Sequence, residues 1–141
     1  MVALSPEPEI LLARCRQVLE AILRIRTATW PALAEWAQVL PVWFVDGCSP
    51  TESRDEAEKW LAWWRSLPQA EQAVAASERR WTLEAWLYWM QPDQRTWSWA
   101  GSAVGEGVLV IEVETKEWPT AIGSLKWLLR VAGADEVTVP G

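Results

Sequence analysis

Apolar residues recur at helical spacing through the first half of the chain. Leu11, Cys15, Val18, Ile22 and Ile25 fall on one face with Arg14, Arg16 and Arg24 between them, and Ser5-Pro6 supplies an N-cap and first-turn pair. A helix is predicted over about residues 6–27. Pro31 opens a shorter helix whose Leu33, Trp36, Ala37 and Leu40 form a stripe, and Pro41 ends it. The following VWFVDG reads as a short extended piece closing in an Asp46-Gly47 turn. Ser49-Pro50-Thr51-Glu52 and Ser53-Arg54-Asp55-Glu56 both match a capping box, and a third helix carries Ala57, Trp60, Leu61, Trp64 and Leu67 on one face. Ser66 and Pro68 restart a fourth, alanine-rich helix to about residue 77.

Beyond Arg79 the period shortens. Trp81, Leu83, Ala85, Leu87 and Trp89 alternate with Thr82, Glu84, Trp86, Tyr88 and Met90, which favours a strand, although Leu83, Trp86, Leu87 and Met90 also fit a helical stripe. Gln91-Pro92-Asp93-Gln94 is turn chemistry, residues 96–104 are short and aromatic-rich, Gly105-Glu106-Gly107 is a tight turn, and residues 108–113 are strongly β-branched. These read as a three-stranded antiparallel meander. Pro119 opens a last helix with Ile122, Leu125, Leu129 and Ala132 inward, Gly133 stops it, and residues 136–139 add a strand. The expected fold is α+β and a single domain over residues 1–141, with about four helices over 1–78 and a βββαβ half over 79–141.

Composition narrows the chemistry. The chain has 13 Lys and Arg against 19 Asp and Glu, a formal charge of -6, which repels nucleic acid and anionic membranes and favours a basic partner. It contains no histidine, which removes the commonest general base and zinc ligand. Cys15 and Cys48 have no metal or redox spacing, and no apolar stretch reaches the length of a membrane span, so a cytoplasmic protein is expected. Thirteen of the fifteen aromatic residues are tryptophan, so the placement of those rings decides where a function sits.

With Pro92 and Asp93 at the tip of the first hairpin, Tyr88 lies opposite Trp97 and Trp86 opposite Trp99. With Gly105 and Glu106 at the second tip, Glu84, Glu112 and Glu114 join that face, while Leu109, Ile111 and Val113 lie on the other, under the last helix. Two readings of the aromatic, acidic face stand. The N-terminal helices close over it and make it core, or it remains a groove that grips a basic or amine-bearing partner through ring faces and carboxylates. Sugar stacking on the same rings would make a carbohydrate-binding module.

The run VLVIEVETK ends in Glu114-Thr115-Lys116, with Pro92-Asp93 upstream. This pattern resembles the PD-(D/E)xK metal-dependent nucleases. The resemblance implies a helix, three meandering strands, a helix and a strand, with Asp93 and Glu114 as ligands of magnesium or manganese and Lys116 stabilising charge at the attacked phosphate. The same residues also read as a hairpin tip and a solvated strand face, and no basic cluster is present to hold a phosphate backbone.

The sequence is therefore read as a non-catalytic protein-interaction module of immunity, inhibitor or accessory-subunit type. It is expected to use Glu84, Trp86, Tyr88, Trp97, Trp99, Glu112 and Glu114 on a protein partner, without cofactor, membrane or nucleic acid, and leftover tryptophan surface would permit a homo-oligomer. The alternatives are the metal-dependent nuclease and the carbohydrate-binding module.

Overall fold

The computed structural model describes residues 1–25, 29–50, 52–116 and 122–139. Among them the element order is β1 (Val2–Leu4), α1 (Pro8–Leu23), α2 (Leu33–Val39), α3 (Val42–Gly47), α4 (Arg54–Arg65), α5 (Gln69–Glu78), α6 (Leu83–Met90), β2 (Trp97–Gly105), β3 (Val108–Thr115), α7 (Gly123–Ala132) and β4 (Glu136–Thr138). The α+β class, and from α1 onward the order of helices, then strands, a helix and a last strand, are as the sequence predicts.

The N-terminal helices follow their stripes. Pro8 occupies the first turn of α1, and Leu11, Cys15, Val18 and Ile22 are buried; Ser5 accepts from Glu7 N instead of capping at Pro6. Ser53 caps α4, accepting from Glu56 N at 3.1 Å. At the alternative box Ser49 N donates to Trp81 O, and the Glu52 carboxylate that would reach back to it pairs with Arg79 instead. Helices α4 and α5 form a hairpin held by a reciprocal pair of bonds, Trp64 Nε1 to Gln72 O at 2.9 Å and Gln72 Nε2 to Trp64 O at 3.1 Å.

Two segments expected to be extended are helical. VWFVDG is α3, which starts directly after Pro41 and buries Phe44 edge-on against Trp86, with ring centroids 4.5 Å apart. The segment read as the first meander strand is α6: Thr82 caps it by accepting from Ala85 N, and Leu83, Trp86, Leu87 and Met90 are its buried face. Short-range alternation lost to a well-capped stripe that could be buried entirely. The meander is therefore reduced to the β2–β3 hairpin.

The third strand comes from the opposite end of the chain. The sheet order is β2-β3-β1-β4, and β1 lies between its two antiparallel neighbours, with Val2 opposite Val110 and Thr138, and Leu4 opposite Val108 and Glu136. Buried Ala3, Leu109 and Ile111 point to one face, which α1 and α7 cover; Leu125, Leu128 and Leu129 of α7 complete that core. Gly133, at φ 121°, ends α7 as expected, while Pro119 lies outside the described residues.

The β2–β3 hairpin turns at Glu106-Gly107, since Gly105 pairs with Val108 and Gly107 adopts φ 68°. Gly101 pairs with Glu112, yet Trp99 pairs with Val113, so Ala100 is an extra residue forming a β-bulge. That one residue reverses the parity of everything before it. Trp97 and Trp99 thus share the covered face with Val113 and Ile111, and not the face of Glu112 and Glu114 as a regular hairpin would place them.

No described helix is long and apolar enough to cross a membrane.

Candidate functional site

The aromatic surface expected on the sheet does not form; a cleft forms among the helices instead. Its volume is about 750 Å³, and Trp30, Trp60, Trp81, Tyr88, Trp89 and buried Trp36 are among its lining residues. Burial of the Leu83, Trp86, Leu87 and Met90 stripe turns Tyr88 and Trp89 outward, 49% and 39% exposed, with ring centroids 5.4 Å apart and edge-to-face. Trp30 lies ahead of α2 and tilts against Trp36, centroids 4.9 Å apart. Trp60 comes from α4 and Trp81 from the residue before the α6 cap.

The charges at the cleft are balanced. Glu52 and Glu84 stand against Arg79 and Arg80. Arg79 Nη2 meets Glu52 Oε2 at 2.6 Å, and the guanidinium lies 4.1 Å from the Trp60 ring centroid. Arg80 Nη2 donates to Gly47 O at 2.9 Å. Glu84 is exposed, and its carboxylate makes no hydrogen bond or ion pair with a described residue. Buried Trp36 Nε1 has no acceptor among the described residues. The cleft thus offers large ring faces and one carboxylate with no partner among the described residues, which suits an apolar or aromatic anchor carrying a donor at its edge.

The residues singled out from the sequence separate into three places. Tyr88 and Glu84 line the cleft. Trp86 and Trp97 are buried, and both direct their indole N–H groups to one residue: Trp86 Nε1 to Ser124 O at 2.9 Å, and Trp97 Nε1 to Ser124 Oγ at 3.1 Å. Trp99 is half-buried on the covered face of the sheet, with Trp97. Glu112 and Glu114 are exposed on its other face.

Asp93 is exposed in the turn after α6, and Glu114 and Lys116 are exposed at the end of β3. Lys116 N reaches Thr96 O at 3.1 Å, which extends the hairpin beyond β3 toward that turn. Among the described residues no three Cys, Asp or Glu side chains gather as a metal site, and the helix at residues 83–90 stands where the resemblance implies a strand.

The cysteines are poor nucleophiles. Burial pushes the Cys15 thiol up to about 12 and raises that of Cys48, where the Trp127 indole and the charge of Arg80 act the other way.

Sequence reasoning missed Trp30, Trp60, Trp81, Trp89, Arg79 and Arg80 as one site. The signal lay in the α6 stripe, which leaves Trp89 off its buried face, and in Trp60 on the α4 stripe, but the cleft closes only between segments distant in sequence. No family model matches the chain, and neither a curated protein nor a solved structure matches it.

Proposed function

We propose that this chain is a non-catalytic protein-interaction module, of the kind that serves as an immunity-type inhibitor or an accessory subunit, and that it receives an aromatic or aliphatic anchor of its partner in the tryptophan cleft. The observation that carries this reading is the cleft: a concavity of about 750 Å³ with half-exposed tryptophan and tyrosine rings. That size lies within the usual range for ligand sites, and these ring types dominate binding hot spots. The cleft's own charges cancel, so its selectivity rests on shape and on Glu84, while the net charge of -6 steers basic partners by long-range attraction.

A peptide-display selection on the wild-type protein, counter-selected on Tyr88→Ala/Trp89→Ala, tests it. Enrichment of peptides with a shared apolar anchor that bind only the wild type is expected. No enrichment, or equal binding to the variant, overturns the reading. Calorimetric titration of manganese into the wild type and Glu114→Gln is the complementary arm, since stoichiometric binding lost in the variant would replace an interaction module with a metal-dependent catalyst.

A further inference from the structure

The sheet has helices on one face, and its other face is neither closed nor simply polar. Leu4 is 42% and Val110 40% exposed there, whereas Ala3 and Leu109, their neighbours on the covered side, are fully buried. Val2 pairs with Val110 and Leu4 with Val108, so four aliphatic side chains of the two central strands form one contiguous patch. Solvated faces of antiparallel sheets ordinarily alternate to polar residues, and a contiguous apolar patch marks an interaction surface.

The charged side chains within the four strands are all of one sign. Glu112 and Glu114 continue β3 beyond Val110 on the same face, and Glu136 stands opposite Leu4 on β4. The four strands contain no lysine or arginine; Lys116 follows β3. This acidic border selects the occupant. A second copy packed face to face would set these carboxylates against their own counterparts, and like charges across an interface are repulsive. An α-helix, about 10 Å across, spans two to three strands spaced about 4.8 Å apart. A helix lying over β1 and β3 would therefore place its apolar stripe on the patch and its flanking bases at Glu112, Glu114 and Glu136.

We propose that the open sheet face is a second docking surface, distinct from the tryptophan cleft, which takes a basic amphipathic helix of a partner protein. Its residues separate it from binding in the cleft, which depends on rings and not on these carboxylates.

The test uses a fluorescently labelled amphipathic helix of leucine and lysine, about 14 residues long, titrated into the full chain and followed by anisotropy. Saturable, salt-sensitive binding to the wild type is expected, weakened at least about tenfold in Glu112→Lys/Glu114→Lys and in Val110→Lys, and unchanged in Trp89→Ala. The charge variant alters only exposed side chains, so it keeps the test valid if Val110→Lys misfolds. Absence of binding to the wild type, equal binding by the charge variant, or loss in Trp89→Ala each overturns the proposal. A dimer in sedimentation that Val110→Lys dissociates also overturns it, by assigning the face to a second copy.

Discussion

The guanidinium of Arg79 lies over the ring of Trp60, 4.1 Å from its centroid, while the same group holds Glu52. This joins the C-terminal end of α5 to α4 and to the residue before the α4 cap, across one wall of the cleft. No described residue of α4 or α5 is fully buried, so the hairpin relies on a few such contacts instead of a core of its own. Elements of that kind occupy the low-stability end of a protein.

Replacing Arg79 by alanine should therefore loosen residues 54–78 more than it destabilises the whole chain. Both partners of the ion pair are partly exposed, which limits its worth, and with the ring contact a total of about 1 kcal/mol is expected. Hydrogen-exchange mass spectrometry should show faster exchange in α4 and α5 with α1 and α7 unchanged. Uniform acceleration would contradict a locally held hairpin.

Ser124 should be a costly position for its size. Ser124→Ala leaves the buried Trp97 N–H without its acceptor, at a cost of about 1–3 kcal/mol, while the Trp86 bond to the Ser124 carbonyl survives. In urea denaturation the double variant Trp97→Phe/Ser124→Ala should lose less than the sum of the single ones, because the orphaned donor is gone. Additive losses would mean that the hydroxyl contributes by packing alone.

Gly47 is fixed by a close approach. A Cβ there would collide with Cγ1 of Val131 on α7, so Gly47→Ala should cost about 1–3 kcal/mol by overpacking. Val131→Ala should recover part of that loss in the double variant, as read by thermal melting. No recovery would place the strain in the α3 backbone.

Stability should decline in alkali through Cys15. The buried thiol keeps its proton up to about pH 12, whereas an unfolded thiol ionises near 9.0, so unfolding releases a proton above that pH. The contribution is complete below about pH 9 and is lost as the pH rises toward about 12, at about 1.4 kcal/mol per pH unit. Unfolding free energies from pH 8 upward should fall more steeply for the wild type than for Cys15→Ala. Parallel curves would show that Cys15 is not the group responsible.

Several elements were legible because their signals agreed across levels. The α1 and α7 stripes, the Ser53 cap, the Gly133 stop and the Glu106-Gly107 turn region all appear where side-chain period and turn chemistry coincide. In α6 two periods competed, and tertiary burial of Leu83, Trp86, Leu87 and Met90 chose the helical one. β1 spans only Val2–Leu4, too short for a periodic signal, and owes its existence to β3 and β4. The only marker of the bulge was Gly101 inside the strand, which does not say that Ala100 is the extra residue, yet the bulge moved Trp97 and Trp99 away from Glu112 and Glu114.

That dependence on Ala100 can be checked directly. Deleting it should leave a regular ladder that keeps Trp99 opposite Val113 and Trp97 opposite Thr115 on the covered face, so the cooperative unfolding transition should survive. Ala100→Gly keeps the residue count and should remain folded. Loss of the cooperative transition in the deletion variant would show that the local bend at Ala100, and not only the residue count, places the two rings.

The middle position of β1 has a consequence for how the protein is made. Its partners lie more than a hundred residues later in the chain, Val110 and Thr138 opposite Val2. Bringing such distant ends together costs on the order of 4 kcal/mol in chain entropy before any strand contact repays it. During synthesis, residues 2–4 wait without a sheet while the helices and then the β2–β3 hairpin take shape. β1 is synthesised well before either of the strands it pairs with, and β4 depends on its arrival.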